Sequence, residues 1–243
     1  MKTPSRIEPL PRFHVRLGGV LYLAIIGLGL FGEMYVRGTL VVPGDAAATA
    51  GKLLQSQPLW RAGVAGDLLM QVLDLPVMLI LYLLLRPVSR PLALLATLVN
   101  LVQTAVLALN KLSLLLPLLL LGDATYLKAF PAEQLQALAY LAIQLHGFGF
   151  GIGLIFFGAA CLIRGYLIFV SGYLPRVLGL MMLAAGLSYL VNSFALLLAP
   201  AWAAALFPAV LVPAFVGELS LCLWMIAKGG STPKPARLTA PGP

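Results

Sequence analysis

The chain has 243 residues, of which 61% are hydrophobic and 10% are charged. Soluble domains carry about 25% charged residues, so this composition excludes a soluble globular protein. The formal net charge is +8, but the basic residues stand at the ends of apolar stretches and form no patch interleaved with aromatic residues. Nucleic acid is therefore not expected as a partner, and the lipid bilayer is the partner that the composition predicts.

Six stretches are long and apolar enough to cross a bilayer, because about 20 apolar residues span its hydrocarbon core. They cover residues 17–36, 61–85, 92–121, 137–163, 177–199 and 206–227, and the fourth can continue toward Val170. The predicted fold is an all-α membrane protein, a bundle of six transmembrane helices. Residues 1–16 form an N-terminal tail, residues 17–228 the transmembrane domain, and residues 229–243 a disordered C-terminal tail rich in Pro, Gly and Ser.

Two short helical segments are predicted outside these stretches. Residues 45–57 follow a break at Pro43 and Gly44, and Asp45 can cap a helix that starts there. Pro131 stands at a first-turn position, so residues 131–141 are expected to form a helical lead into the fourth span.

The basic residues predict the orientation, because cytoplasmic loops carry an excess of Lys and Arg. Most of them lie in the two tails, in the loop between the second and third spans, and in the loop between the fourth and fifth spans, to which Arg164 and Arg176 are assigned. The opposite side holds fewer, among them Arg37 and Lys111. With six spans, both termini are expected to be cytoplasmic.

Polar residues recur inside the predicted spans. In the second span Asp67, Gln71 and Asp74 are spaced i, i+4, i+7, so they lie on one helix face. Asn100 and Gln103 share a face of the third span. Ionisable groups inside a membrane normally face the bundle interior or a water-filled cavity, so these faces are expected to point inward.

The depths of the polar residues predict a ladder that is open toward the outside and ends near the midplane. At a rise of about 1.5 Å per residue, Asp74 lies roughly 20 Å and Glu218 roughly 18 Å below the outer ends of their spans. The candidate ligand-binding residues are Asp74, Glu218, His146, Asn100, Gln103, Tyr189, Asp67 and Glu33.

The ladder is compatible with three functions. In the first, it binds a small polar ligand or cation, as a transporter or sensor would, with Asp74 and Glu218 as deep anchors and Asp67 with Glu33 at the mouth. In the second, an intramembrane enzyme acts on lipid, with His146 as the base and Glu218 or Asp74 orienting it. In the third, a structural or assembly protein uses the polar faces only to join helices.

Several chemistries lack their motifs. The chain has no GxSxG, HExxH or P-loop sequence, and its two cysteines, Cys161 and Cys222, lie in apolar stretches without CxxC spacing. The single histidine inside the predicted spans, His146, is too few for a three-ligand zinc site unless Asp74 and Glu218 complete it. No catalytic residue, metal or cofactor is predicted, and the sequence gives no oligomeric state.

Glycines after this histidine predict close helix packing. In HGFGFGIG, the pairs Gly147/Gly151 and Gly149/Gly153 have the small-xxx-small spacing that lets two membrane helices approach closely.

Motifs along the whole chain except the tails resemble one family. They are PGDAAATA, LWRAGVAGDLL, LALN, HGFGFGIGLIFFG, GYLIFVSGYLPRVLG, YLVNSF and GELSLCLWMIAKG, in this order. The chain resembles a bacterial multi-pass family, the domain-of-unknown-function 4386 family. The resemblance implies a six-span protein of the bacterial cytoplasmic (inner) membrane, and it implies no activity.

Overall fold

The computed structural model describes residues 10–229, and all regular structure in that part of the chain is helical. Six helices are long and apolar enough to cross a membrane. Their bounds, numbered span 1 to span 6, are Arg12–Leu40, Gln57–Leu85, Arg90–Leu120, Ala132–Val170, Arg176–Leu198 and Ala209–Lys228. The predicted six-helix membrane fold is thus confirmed. The disordered tail predicted for residues 229–243 lies, apart from Gly229, outside the described residues.

The six spans form a ring in chain order. Each span packs against the spans that precede and follow it in the sequence, and span 1 closes the ring by packing against span 6. Successive spans run antiparallel, as in other up-and-down bundles. Polar side chains that face inward from different spans can therefore meet in the middle of the ring.

Spans 4 and 5 share the closest contact in this ring, and glycines make it possible. A Cβ atom added at Gly165 would lie 2.9 Å from the carbonyl oxygen of Gly179, and one added at Gly179 would lie 2.8 Å from the carbonyl oxygen of Gly165. Gly158 and Gly186 meet in the same way, seven residues away from the first pair along each helix. The two backbones therefore touch directly over several turns.

The close packing predicted for the glycines of HGFGFGIG is found at Gly149, Gly151 and Gly153 but not at Gly147. A Cβ atom at Gly147 would have no heavy atom within 4 Å, whereas one at Gly149 would overlap the side chain of Asn110 and one at Gly153 would contact Leu107. Gly149 and Gly153 thus make room for side chains of span 3. The close approach at these glycines is to side chains and not to another helix backbone.

Span 1 differs from its predicted form, and span 4 takes the longer of its two predicted extents. Span 1 begins at Arg12 and contains a π-helical stretch, Phe31–Arg37, between its α-helical parts. Span 4 continues to Val170, so Arg164 lies inside this helix and is buried. The assignment of Arg164 to a loop was wrong, because the apolar stretch does not end at an isolated arginine.

The short segments outside the spans were partly predicted. The helix Ala46–Gln55 is capped by Asp45, whose carboxylate accepts a hydrogen bond of 2.8 Å from the backbone N–H of Ala48. The helix of span 4 begins directly after Pro131. A further short helix, Pro200–Leu206, lies between spans 5 and 6 and was not predicted as a separate element.

Both ends of the described chain lie at the same end of the ring, here called the terminal end. A Cβ atom at Gly229 would lie 3.2 Å from the carbonyl oxygen of Arg12, so the last described residue touches the start of span 1. Arg86, Arg90 and Arg176 also stand at this end, at the limits of their helices. The excess of basic residues predicts that the terminal end faces the cytoplasm.

This orientation can be tested with single cysteines. Cysteines that replace Gln57 and Glu133 are expected to react in intact cells with a membrane-impermeant thiol reagent, whereas cysteines that replace Ser89 and Ser171 are expected to stay unlabelled. The native Cys161 and Cys222 are buried, so the background should be low. Labelling only at residues 89 and 171 would show that the terminal end faces outward.

Candidate functional site

Two carboxylates of the ring interior, Asp74 and Glu218, lie at nearly the same depth. Helix rise places them about 16 Å from Leu85 and about 15 Å from Lys228, the residues that end spans 2 and 6 at the terminal end. Counted from the terminal end, the helix bounds thus give the same near-equal depth that was predicted from the outer ends of the spans.

Asp74 is held by neutral donors of span 3. Its Oδ2 accepts hydrogen bonds from Asn100 Nδ2 at 2.8 Å and from Thr104 Oγ1 at 2.6 Å. Asn100 Nδ2 also donates to Gln103 Oε1 at 2.8 Å. The structure thus brings Asp74, Asn100 and Gln103 together as expected and adds Thr104. The spacing of Asn100 and Thr104, one helical turn apart, was the signal available in the sequence.

Glu218 is held by two tyrosines from other spans. Tyr22 of span 1 donates a hydrogen bond of 2.9 Å to Oε2, and Tyr189 of span 5 donates to Oε1. Glu218 is 8% exposed and Tyr22 is 4% exposed. Tyr189 was predicted near the deep carboxylates, whereas Tyr22 was not. Neither the hydropathy nor the spacing of span 1 distinguishes Tyr22 from its apolar neighbours.

Arg164 is the cation of this region, and it was not predicted there. It is 3% exposed, and its Cα lies about 9 Å by helix rise from Val170, the end of span 4. Side chains in a helix point toward its N-terminus, which for span 4 means toward the level of the two carboxylates. The charge of Arg164 acts on both Asp74 and Glu218.

The guanidinium of Arg164 is incompletely bonded. Among the described residues, its buried Nη2 has no hydrogen-bond partner, and none of the ion pairs within 4 Å includes Arg164. A buried polar group without a partner costs about 1–3 kcal/mol, and more when it is charged. We call Asp74, Arg164 and Glu218 the midplane site.

The outer half of the ring contains a second group of charges. Asp67 Oδ2 accepts a hydrogen bond of 2.8 Å from Arg37 Nη1 and lies 3.0 Å from Lys111 Nζ. Arg37 Nε also binds Glu33 at 2.7 Å. The side chains of Asp67 and Lys111 are 1% and 2% exposed. We call Glu33, Arg37, Asp67 and Lys111 the outer ion cluster.

The outer ion cluster differs from the open mouth that was expected at Asp67 and Glu33. The Asp67 carboxylate is enclosed by two cations, and only Glu33, whose side chain is 55% exposed, lies at the surface. Gly32 lets span 1 pack directly against the Asp67 carboxylate, because a Cβ atom at residue 32 would overlap that carboxylate. The π-helical stretch Phe31–Arg37 supplies Glu33 and Arg37, and π-helical turns are frequent at functional sites.

His146 lies beside span 3 and forms no hydrogen bond with either deep carboxylate among the described residues. Asn110 Nδ2 donates to its Nδ1 at 3.0 Å and to its backbone carbonyl at 2.9 Å. Because the amide nitrogen can only donate, the ring proton of a neutral His146 is on Nε2. That atom is buried and has no partner within the described part of the chain.

The residues considered for a metal site do not converge. Within residues 10–229, no three His, Cys, Asp or Glu side chains come together as metal ligands would. His146 is instead bonded to Asn110, Asp74 to residues of span 3, and Glu218 to two tyrosines. These three side chains therefore do not form one metal site.

Comparison with known proteins gives one match. The model of the family described as Domain of unknown function (DUF4386) matches residues 17–229, which is all of the described chain except its first residues. No curated protein and no solved structure matches the chain.

Proposed function

The chain belongs to the DUF4386 family, whose description carries no activity, and from the midplane site we propose that it binds a small polar ligand inside the membrane, as a transporter or sensor would. The observation that carries this proposal is the buried guanidinium of Arg164, which stands near two carboxylates and whose Nη2 has no partner among residues 10–229.

Burial of these three ionisable groups in the ring interior costs free energy, and a purely structural role would be expected to reduce that cost by pairing them. A charged side chain at the centre of a membrane helix costs about 2.5–3.5 kcal/mol on insertion scales. If the groups only joined helices, pairing Arg164 directly with Asp74 or Glu218 would offset part of this cost. Instead, the carboxylates bind neutral donors, and the guanidinium keeps a free donor.

The charges indicate the class of ligand. An anionic group fits the unpartnered donor of Arg164, because guanidinium binds carboxylate and phosphate oxygens well. An ammonium or another donor fits the unused acceptor capacity of Asp74 and Glu218. A small zwitterion supplies both groups in one molecule. The charges of this ligand would be neutralised in the membrane interior by partners on both sides.

The outer ion cluster limits the route to this site. A ligand that came from the side opposite to the terminal end would have to pass the bonds that Asp67 forms with Arg37 and Lys111. Binding from that side therefore requires these cations to release Asp67. In the arrangement described here, the cluster acts as a closed outer barrier above the midplane site.

The other two functions have less support in the geometry. A lipid-acting enzyme needs His146 beside Glu218 or Asp74, but the histidine is bonded to Asn110. A purely structural role agrees with the satisfied carboxylates, but it gives no reason for the unpartnered Arg164. Water access to the midplane site distinguishes ligand binding from a dry helix contact.

We expect a cysteine that replaces Thr104 to react with a small, charged thiol reagent. Thr104 contacts Asp74, and the exchange of a hydroxyl for a thiol changes little volume. The experiment uses purified protein in nanodiscs, so that both membrane faces are accessible, with Cys161→Ala and Cys222→Ser to remove the native thiols. Glycine is expected to slow this labelling more than acetate or guanidinium does, because it carries both charges.

Two positions of span 3 serve as controls for this labelling. Leu101 is exposed on the ring's outer surface and Ala96 is buried, so a cysteine at either residue should be protected, by lipid in the first case and by packing in the second. If the cysteine at residue 104 is as inert as these two, the midplane site is a dry contact, and the structural function replaces the proposed one.

A further inference from the structure

The terminal end of the ring contains a cleft that the midplane site does not use. Its volume is about 630 Å³, and it opens between span 1, span 6 and the loop that joins spans 4 and 5. The lining residues are Arg12, Arg16, Gly172, Tyr173, Leu174, Pro175, Trp224, Ala227 and Lys228. None of these residues belongs to the midplane site.

Basic side chains converge on this cleft from two spans. Arg12 and Arg16 lie one turn apart on span 1, so they share a helix face, and Lys228 ends span 6. All three are exposed. Gly229 fixes their relation, because its left-handed backbone (φ 64°) ends span 6 and a Cβ atom there would lie 3.2 Å from Arg16 Nε.

The cleft has no compensating negative charge among the described residues that line it. The phenol of Tyr173 does not supply one, because burial raises its pKa to about 12, and it donates a hydrogen bond to the carbonyl oxygen of Leu84. The N-terminal ends of the span 1 and span 5 helices also lie at this cleft, and helix N-termini favour anions.

The remaining wall of the cleft is apolar and aromatic. Trp224 and Leu174 line it together with Pro175 and Ala227. Tryptophan is enriched at the level of lipid headgroups, and basic pockets between membrane helices on the cytoplasmic side bind anionic headgroups. The cleft therefore offers cations for a phosphate and an apolar wall for the adjoining glycerol and upper acyl chain.

We propose that this cleft binds the headgroup of an anionic phospholipid, with Arg12, Arg16 and Lys228 around the phosphate. The positive charge of the cleft favours an anion. Its position at the end of the spans, beside Trp224, favours the headgroup of a membrane lipid over a soluble anion. The inference is independent of the ligand proposed for the midplane site, since no lining residue of the cleft belongs to that site.

The test measures lipid binding to the full chain in detergent micelles by native mass spectrometry. Phosphatidylglycerol is expected to be retained and phosphatidylcholine with the same acyl chains is not. Arg16→Gln is expected to weaken the retention of phosphatidylglycerol about tenfold, which corresponds to about 1.4 kcal/mol, because a hydrogen bond between two charged groups is lost. Arg61→Gln, which removes an exposed cation at the opposite end, is the matched control.

Every other outcome of this test contradicts the proposal. Equal retention of the two lipids, or equal effects of Arg16→Gln and Arg61→Gln, would show that no headgroup site exists in the cleft. Displacement of phosphatidylglycerol by millimolar inorganic phosphate would show a site for soluble anions. If Arg16→Gln does not fold, Lys228→Gln provides the same comparison, because Lys228 lies on a different span.

Discussion

The Asp67→Asn protein is expected to have a free energy of unfolding about 3–5 kcal/mol lower than the wild type, which is the usual effect of removing one partner from a buried ion pair. Asp67 is the shared anion of Arg37 and Lys111. Once its charge is removed, two cations remain close together in the outer half of the ring. Lys111, whose side chain is 2% exposed, cannot reach water without a rearrangement of spans 2 and 3.

The measurement is equilibrium unfolding in mixed micelles with increasing sodium dodecyl sulfate, followed by helical circular dichroism. Asp123→Asn makes the same chemical change at an exposed residue outside the spans and should leave the stability nearly unchanged. Similar small effects of both substitutions would mean that the outer ion cluster does not hold spans 1, 2 and 3 together.

The six spans could be predicted because length and hydropathy leave few alternatives. A stretch of about 20 apolar residues has no soluble conformation that buries it, and residues such as Pro43, Gly44 and Pro131 mark where the chain leaves one helix and enters another. The contact of Asp74 with Asn100 followed from the same logic, because residues on inward faces at equal depth of adjacent helices must meet.

Arg164 could not be placed by this logic. An isolated arginine at the end of an apolar stretch is the ordinary sign of a cytoplasmic loop, and only the continuation of span 4 to Val170 puts it in the ring. The apolar stretch Gly165–Phe169 that follows it allowed this continuation as one of two predicted ends but did not decide between them. The buried position is set by the contact of Gly165 with Gly179, which depends on a distant part of the chain.

The outer ion cluster was missed for a related reason. Glu33 and Arg37 are one turn apart, so their mutual bond could be predicted, but the π-helical turn that brings Arg37 to Asp67 has no reliable sequence pattern. Lys111 was counted with the basic residues of the outer side because it stands near a span end. Its pairing with Asp67 depends on the packing of spans 2 and 3, which hydropathy alone does not determine.

Arg164→Met is expected to leave the free energy of unfolding unchanged or to raise it by about 1–3 kcal/mol, the cost of an unpartnered buried polar group. Methionine fills a similar volume and needs no partner. Asp74 and Glu218 keep their neutral donors. A residue that binds a ligand can destabilise the protein when no ligand is present. A residue whose role is to join helices must stabilise the protein without any ligand.

Arg37→Met is the matched control for this prediction. The same change at Arg37 removes a partner of both Asp67 and Glu33. Because Lys111 stays beside Asp67, the free energy of unfolding should fall by about 1.5–3 kcal/mol, the value of a hydrogen bond to a charged group. The contrast between the buried Arg164 and the partly buried Arg37 separates the effect of charge removal from the effect of partner loss.

The free energy of unfolding of the Arg164→Met protein, compared with that of the wild type in the absence of added ligand, tests the proposed ligand site most directly. Ligand binding at the midplane site predicts that the variant is at least as stable as the wild type. A decrease as large as that of Arg37→Met would show that Arg164 holds the ring together and would contradict the proposed site.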